Sequence, residues 1–287
     1  TMVLKREPSP LSYGVVLLDS EGRVCRFVEK PSWSEVTANT VNTGIYILEP
    51  EILDYIPSER AMDFGKELFP ELLRRGVPMY GYITEDYWCD IGDSSAYFNA
   101  HTAFLSGNLK LETPAHDYGN GIFLEEDASV QDIELLNGPV YIGRHSRIES
   151  GSRIGAYSVI GENCHIENAE LQGSILWDNC VVKPGGILRQ AIICDNVILR
   201  QNARICERAV IGRGARVGQY ATVNANVRVW ANAVVPPESN IKEDLLYSAG
   251  EKLVLGEYGL HGILSEDIFP RTLLYLSLIH ISEPTRP

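Results

Sequence analysis

From about residue 120 onward, aliphatic residues recur every six positions and keep that spacing for more than a hundred residues. One phase runs through Leu124, Val130, Leu136, Ile142, Ile148, Ile154, Ile160 and Ile166. After a slip of three residues it resumes as Ile175, Val181, Ile187, Ile193, Leu199, Ile205, Ile211, Val217, Val223, Val229 and Val235. A helix repeats every 3.6 residues and a flat strand every 2.0, so neither produces this pattern. Four positions after many of these aliphatics comes a small residue, as at Ser146, Ser152, Ser158, Cys164, Gly185, Ala191, Ala203, Ala209, Ala215, Ala221 and Ala233. A triangular parallel β-helix accounts for both observations. Each short strand sends one aliphatic side chain inward, the small residue fits the corner, and stacked coils pair their backbone groups. Nineteen inward positions at three per coil predict about six coils, with a cap at Pro236-Pro237. Four of these hexads begin Ile-Gly, at Ile142-Gly143, Ile154-Gly155, Ile160-Gly161 and Ile211-Gly212.

The first 110 or so residues follow another rule. Gly14 to Leu18 and Val24 to Val28 read as two strands of a hairpin around the turn Asp19-Ser20-Glu21-Gly22, and Val41 to Leu48 as a further strand. Glu49 to Tyr55 and Lys66 to Arg75 carry helical spacing, and Pro78 to Thr84 is extended again. Strands alternating with helices imply an α/β layer structure, here an incomplete Rossmann-like one. The Ile-Gly hexads resemble the hexapeptide repeats of left-handed β-helices, so the expected fold class is an incomplete α/β domain followed by a left-handed parallel β-helix. The expected domains are 1–111 for the α/β part, 112–247 for the β-helix and 248–275 for a linker or the start of another domain. Leu276 to Arg286, LSLIHISEPTR, resembles a translated sequencing adapter and is set aside as a processing scar within 276–287. Both ends of the chain are accordingly expected to be cut.

Composition narrows the function classes. A net charge of −13 argues against nucleic acid and anionic membrane as partners. No run of about 18 apolar residues suggests a membrane span, and no signal peptide is recognisable, so a cytoplasmic location is expected. The six cysteines form no CxxC pair, which suggests neither a zinc site nor a disulfide framework.

Five motifs stand in a fixed order ahead of the solenoid: YGVV at 13–16, FVEKP at 27–31, VNTGIYIL at 41–48, FGKELFPELL at 64–73 and YWCDIGD at 87–93. Together they resemble the second half of a sugar-1-phosphate nucleotidyltransferase, most closely the mannose-1-phosphate guanylyltransferases, which also carry a β-helix. The resemblance implies in-line attack of a sugar 1-phosphate on the α-phosphate of a nucleoside triphosphate, forming a nucleotide sugar and pyrophosphate. Positioning and charge neutralisation would then do most of the work. It implies Glu29 on the sugar hydroxyls and Lys30 on the sugar phosphate, with Pro31 ending the strand so that the two need not point to opposite faces. It implies Asn42, Thr43 and Gly44 bordering the sugar, and Gly14 allowing close backbone approach. Asp90 matches the family's second magnesium-binding aspartate, so Mg²⁺ is the expected cofactor. Trp88 is expected to pack. The implied partners are a sugar 1-phosphate, a nucleoside triphosphate and further copies of the chain in a homo-oligomer.

The family's glycine-rich nucleotide loop would lie upstream of YGVV, where only about a dozen residues stand. The chain as given is therefore expected to hold the sugar-phosphate half of a site and to make no nucleotide sugar itself. Within the class the alternative is a glucose-1-phosphate adenylyl- or thymidylyltransferase. Outside it stand a hexapeptide-repeat acyltransferase using His145 or His165, for which no orienting carboxylate is identifiable, and a non-catalytic oligomerising scaffold. The arginines Arg200, Arg204, Arg208, Arg213 and Arg216 read as a solvated face. GLHGILSEDIFP at 259–270 resembles the opening of a phosphohexomutase domain.

Overall fold

A computed structural model describes residues 1–246 and, beyond them, the backbone of a short antiparallel hairpin, Val254–Gly256 with Gly259–His261. The mutase-like segment and the adapter-like tail otherwise lie outside the described residues. The chain divides into two compact units, Thr1–Gly92 and a second beginning at Asp93. Among the described residues no helix is long and apolar enough to cross a membrane.

The first unit is a five-stranded sheet in the order β3-β2-β4-β1-β5. Its strands are β1 (Met2–Arg6), β2 (Gly14–Leu18), β3 (Val24–Glu29), β4 (Thr40–Tyr46) and β5 (Gly81–Ile83). The β2-β3 hairpin forms as expected. The Asp19 carboxylate accepts from the backbone N–H of Glu21 and Arg23, and Gly22 supplies the left-handed φ of 78° that the turn requires. β1 carries no expectation in the sequence reading, yet it joins β4 antiparallel to β5 in parallel. The Glu49 to Tyr55 segment closes only as a 3₁₀ turn, Pro50–Tyr55. The expected helix over 66–75 begins as a π turn, Phe64–Leu68, and continues as α1, Phe69–Arg74. Asp63 caps it, accepting from the N–H of Gly65 and Lys66. The core joins Met2, Leu4, Val16 and Phe27 on one sheet face to Leu68, Phe69 and Leu72. Phe69 lies at its aromatic centre, with ring centroids 5.2 Å from Phe27, 5.0 Å from Tyr46 and 5.7 Å from Phe64.

The second unit is a parallel β-helix of about seven turns, its three faces built of seven, six and eight strands. The eighth strand of the last face is antiparallel, His116–Asp117. Helix α2, Ser94–Leu105, belongs to this unit, with Phe104 edge-on to Tyr141 and the Trp177 indole donating to the Tyr97 hydroxyl at 3.0 Å. The inward column is aliphatic throughout, but its phase differs from the sequence reading between 166 and 193. Leu171, Leu176, Val182 and Leu188 fill the interior, while Val181 and Ile187 are only partly covered. Ile175 is buried but outside the core cluster, and Val130 packs against that cluster partly exposed. The reason is coil length. Ile142 pairs with Ile160 eighteen residues on, whereas Ile160 pairs with Leu176 after sixteen and Leu171 with Leu188 after seventeen. Residues are dropped singly at several corners rather than gained in one slip.

The coils also continue past Pro236-Pro237. Ile241 pairs with Val223 and Leu245 bridges to Val229, so the prolines sit on a corner and cap nothing. A Cβ at Gly218, one coil earlier, would lie 2.4 Å from the Pro237 nitrogen, so only glycine fits beneath them.

Corners are made by a residue in the left-handed region directly before the small one. Asn163, Asn179, Asn196 and Asn232 occupy it along one corner, and Asn168 and Asn202, alternating with Gly151 and Gly185, along another. Asparagine and glycine accept this conformation, whereas other L residues pay roughly 1–2 kcal/mol. Exceptions on these two corners are Asp127, His145, Tyr220 and Glu238. The third corner carries Tyr157, Gln190 and Arg208, at φ 62°, 43° and 60°, along with Gly173 and Asn226.

Candidate active site in the first unit

The site grows out of the core-facing side of the sheet. Alternation along β3 places Glu29 on the same face as Phe27, two residues beyond it and past the end of the core. Gly14 is its direct partner on β2, and Asn42 stands opposite core residue Leu4 on β4. The sheet face thus changes from apolar to polar at one end.

A Cβ on Gly14 would lie 2.7 Å from both Glu29 Oε2 and Phe27 Cζ, and a Cβ on Gly65 would also lie 2.7 Å from Glu29 Oε2. The carboxylate is therefore held between two glycines, one on the hairpin and one on the π turn. The sequence reading singles out Gly14 but misses Gly65. The signal was present in FGKELFPELL, where a glycine inside a helical stretch marks a close approach.

β3 ends at Glu29, and Lys30 turns the chain itself at φ 47°, its N–H donating to the Tyr13 carbonyl at 3.0 Å. The break thus precedes Pro31, whose ring was expected to make it. A lysine in left-handed backbone is costly, and such strain collects where a side chain must be aimed.

The amide of Asn42 donates to the Tyr46 hydroxyl at 2.6 Å, and its Oδ1 accepts from the Gly44 N–H at 3.2 Å. Burial pushes the Tyr46 phenol above its ordinary value, opposed by the Asn42 hydrogen bond and aided by the negative charges of Glu29 and Asp63. The Thr43 hydroxyl is spent on the Val3 carbonyl, 2.8 Å away. Gly44 holds φ 80°.

Opposite, residues 88–91 supply the other wall. Trp88 packs edge-on against Tyr13, ring centroids 5.5 Å apart. A hydrogen bond with the Cys89 thiol pushes the Tyr87 phenol up to about 12. Asp90 is exposed and has no side-chain partner among the described residues. Gly14, Glu29, Lys30, Asn42, Thr43, Gly44 and Asp90 all line one cavity of about 420 Å³, so the structure brings together all seven residues singled out from the sequence. Ser12, Tyr13, Cys89 and Ile91 line it too.

The Nucleotidyl transferase family matches residues 1–107, and the EIF2B subunit epsilon LbH domain matches residues 119–223. The chain joins a nucleotidyl transferase domain to an LbH domain. A UTP--glucose-1-phosphate uridylyltransferase of Synechocystis is 37% identical over 199 residues, covering 67% of this chain and 51% of that protein. A probable mannose-1-phosphate guanylyltransferase 2 of Arabidopsis thaliana is 30% identical, covering 69% of this chain and 55% of its own length. The mannose-1-phosphate guanylyltransferase of Mycobacterium tuberculosis is 31% identical, with 58% and 46% covered. The chain thus spans about half the length of these curated relatives. The cavity lies wholly within the nucleotidyl transferase match, and the solenoid's coils run past the end of the LbH match to Ile241.

The solenoid histidines require one correction. His165 does have carboxylates beside it, Glu149 at 3.1 Å from Nε2 and Glu167 at 3.5 Å from Nδ1, and His145 stands 3.6 Å from Asp127. Glu149 is also bonded by Gln131 and Glu167 by Lys183, so these carboxylates belong to a charge ladder running from coil to coil. Neither histidine lines the cavity at Lys30.

Proposed function

We infer that this chain carries the sugar 1-phosphate side of a nucleotidyltransferase site, in which the sugar phosphate attacks the α-phosphate of a nucleoside triphosphate and pyrophosphate leaves. One juxtaposition carries the reading: a carboxylate and an ammonium, Glu29 and Lys30, at the mouth of one strand, share a cavity with the unpartnered carboxylate of Asp90. Glu29 accepts hydrogen bonds from sugar hydroxyls, and its carboxylate occupies space that only glycine at 14 and 65 leaves open. Lys30 neutralises the sugar phosphate through a charge-assisted contact. Asn42 and the backbone at Gly14 border the sugar ring. The domain organisation and the relatives' activities support this class of reaction.

Asp90 fits a Mg²⁺ ligand. The ion takes hard oxygens and commonly only one or two carboxylates beside substrate phosphates, and Asp90 is an exposed carboxylate with no side-chain partner among the described residues. Bound there, the ion would neutralise charge on the reacting phosphates.

For the substrates we favour mannose 1-phosphate with GTP, on the motif order and on the guanylyltransferase relatives. Glucose 1-phosphate with UTP is the second reading, favoured by the 37%-identical uridylyltransferase. Calorimetric titration of the chain with the two sugar phosphates tests the site and ranks the sugars. Lys30→Ala should weaken binding by about tenfold or more, as expected for loss of a hydrogen bond to a charged group. Absence of saturable binding of either sugar phosphate, or an unaffected Lys30→Ala variant, would overturn the reading. Pyrophosphate release with each nucleotide, measured on a protein that contains this chain, separates GTP from UTP.

A further inference from the structure

Within the second unit a groove of about 270 Å³ lies between one face of α2 and the third corner of the solenoid. That corner departs most often from the asparagine-or-glycine rule, although Gly173 and Asn226 keep to it. Where the other corners mostly carry asparagine or glycine, Tyr157, Gln190 and Arg208 hold left-handed backbone, and all three line the groove. Their backbones are tied coil to coil, Arg208 N–H to the Gln190 carbonyl at 2.8 Å and Gln190 N–H to the Gln172 carbonyl at 2.7 Å, so the side chains project from a rigid ladder. Folding alone would be better served by asparagine at each position. On this corner the three departing residues all face a concavity made with a second element, α2.

The lining has a definite chemistry. Arg208 is the only charged residue in it, and its guanidinium has no side-chain partner among the described residues. No carboxylate lines the groove, although the chain as a whole carries a net charge of −13. A guanidinium without a carboxylate partner among the described residues can meet an anion, and its planar fork suits a phosphoryl group. Around it stand amides and hydroxyls, including Gln172, Gln190 and Asn99, which can bond a polyol, while Phe98 and Tyr157 offer ring surface to its C–H faces. The groove shares no lining residue with the cavity at Lys30.

We propose that this groove binds a small phosphorylated polyol, its phosphoryl group on Arg208 and its hydroxyls on the surrounding amides. The test is titration of the full chain with glucose 6-phosphate, inorganic phosphate and glucose. Glucose 6-phosphate should bind saturably, and inorganic phosphate about tenfold or more weakly by comparison, because it leaves the amides unfilled. Arg208→Asn places at the corner the residue found on the other two. It should fold with an unchanged or raised Tm, yet lose about tenfold or more in glucose 6-phosphate affinity. Gln190→Asn, equally suited to the corner, provides the second variant and should weaken glucose 6-phosphate more than inorganic phosphate. Lys30→Ala should leave this binding in place, which separates it from the first unit's cavity. Hydrogen exchange should show protection by glucose 6-phosphate over Ser95–Thr102. No saturable glucose 6-phosphate binding, equal binding by Arg208→Asn, inorganic phosphate as tight as glucose 6-phosphate, or binding lost with Lys30 would each overturn the proposal.

Discussion

The two units of this chain solve the same problem by opposite means. In the solenoid each residue's partner is the residue one coil away, and the same three decisions are repeated: an aliphatic inward, a left-handed corner, a small residue after it. In the first unit a single core is assembled from distant segments, so that β1 lies between β4 and β5, and Phe69 meets Phe27 and Tyr46. Repetition makes stability local and divisible, whereas assembly makes it collective. The candidate sites follow this difference. In the first unit the site lies where a common core face runs out. In the second it lies where a helix from outside the repeat, α2, covers one corner.

The largest effect expected from this contrast is in the reach of a core truncation. Phe69→Ala removes the centre of the aromatic cluster and should cost about 3–5 kcal/mol, and Leu188→Ala on the solenoid axis about 2–5 kcal/mol. The magnitudes overlap, but the response should not. Hydrogen exchange should show Phe69→Ala loosening every strand of the first unit together, and Leu188→Ala loosening chiefly its own coil and the two beside it. A Leu188→Ala chain whose coils all exchange at one common rate would break the comparison.

The same contrast governs what could be read from the sequence. The solenoid is legible because its period is local: Ile142, Ile148, Ile154 and Ile160 announce it without any knowledge of tertiary structure. It becomes illegible where two aliphatics stand side by side. Val181-Val182 and Ile187-Leu188 fit either phase, and only the shortened coils decide which of each pair points inward. The asparagines of the corners were a second local signal, and counting them would have fixed the phase. Motif resemblance led to Glu29, Lys30, Asn42 and Asp90, and the structure gathers them in one cavity. It did not lead to Gly65, whose role depends on a helix folding against the strand that bears Glu29. Nor did it separate Arg208 from the neighbouring arginines, since only α2 turns that corner into a groove.

A smaller effect sharpens the comparison at single residues. Lys30 in the first unit and Asn202 in the solenoid both hold left-handed backbone, at φ 47° and 57°. At Asn202 the conformation serves the fold alone, so Asn202→Ala should cost roughly 1 kcal/mol and change no ligand affinity. At Lys30 the fold would gain from a better-suited residue. Lys30→Asn should raise stability by up to roughly 1 kcal/mol while abolishing sugar 1-phosphate binding. Denaturant unfolding beside calorimetry measures both. A Lys30→Asn chain that lost stability would show that the lysine contributes to the fold and is not held there at its expense.

The smallest effect lies in the response to acid. In the first unit, hydrogen bonding from Arg60 holds the Glu67 carboxyl below its ordinary value of 4.5, bonds from Arg74 and Arg75 do the same for Glu71, and Ser32 for Glu35. In the solenoid the N–H of Gly151 holds Asp132 below 3.8. A depressed folded pKa means that the proton binds the unfolded chain more readily. The stabilisation is therefore complete above the unfolded value and is lost as pH falls through the folded one. Three glutamates begin to lose it below about pH 4.5 in the first unit, against one aspartate below about 3.8 in the solenoid. All four groups are solvent-exposed, where such contacts contribute little. Yet they act on a collective core in one case and on a divisible stack in the other, so the first unit should open before the solenoid as pH is lowered from 5 toward 3. Hydrogen exchange across that range, followed separately over 1–92 and 119–241, measures the order, and Glu71→Gln should narrow the gap between the two units. Opening of the solenoid first would break the link between a collective core and early loss of structure in acid.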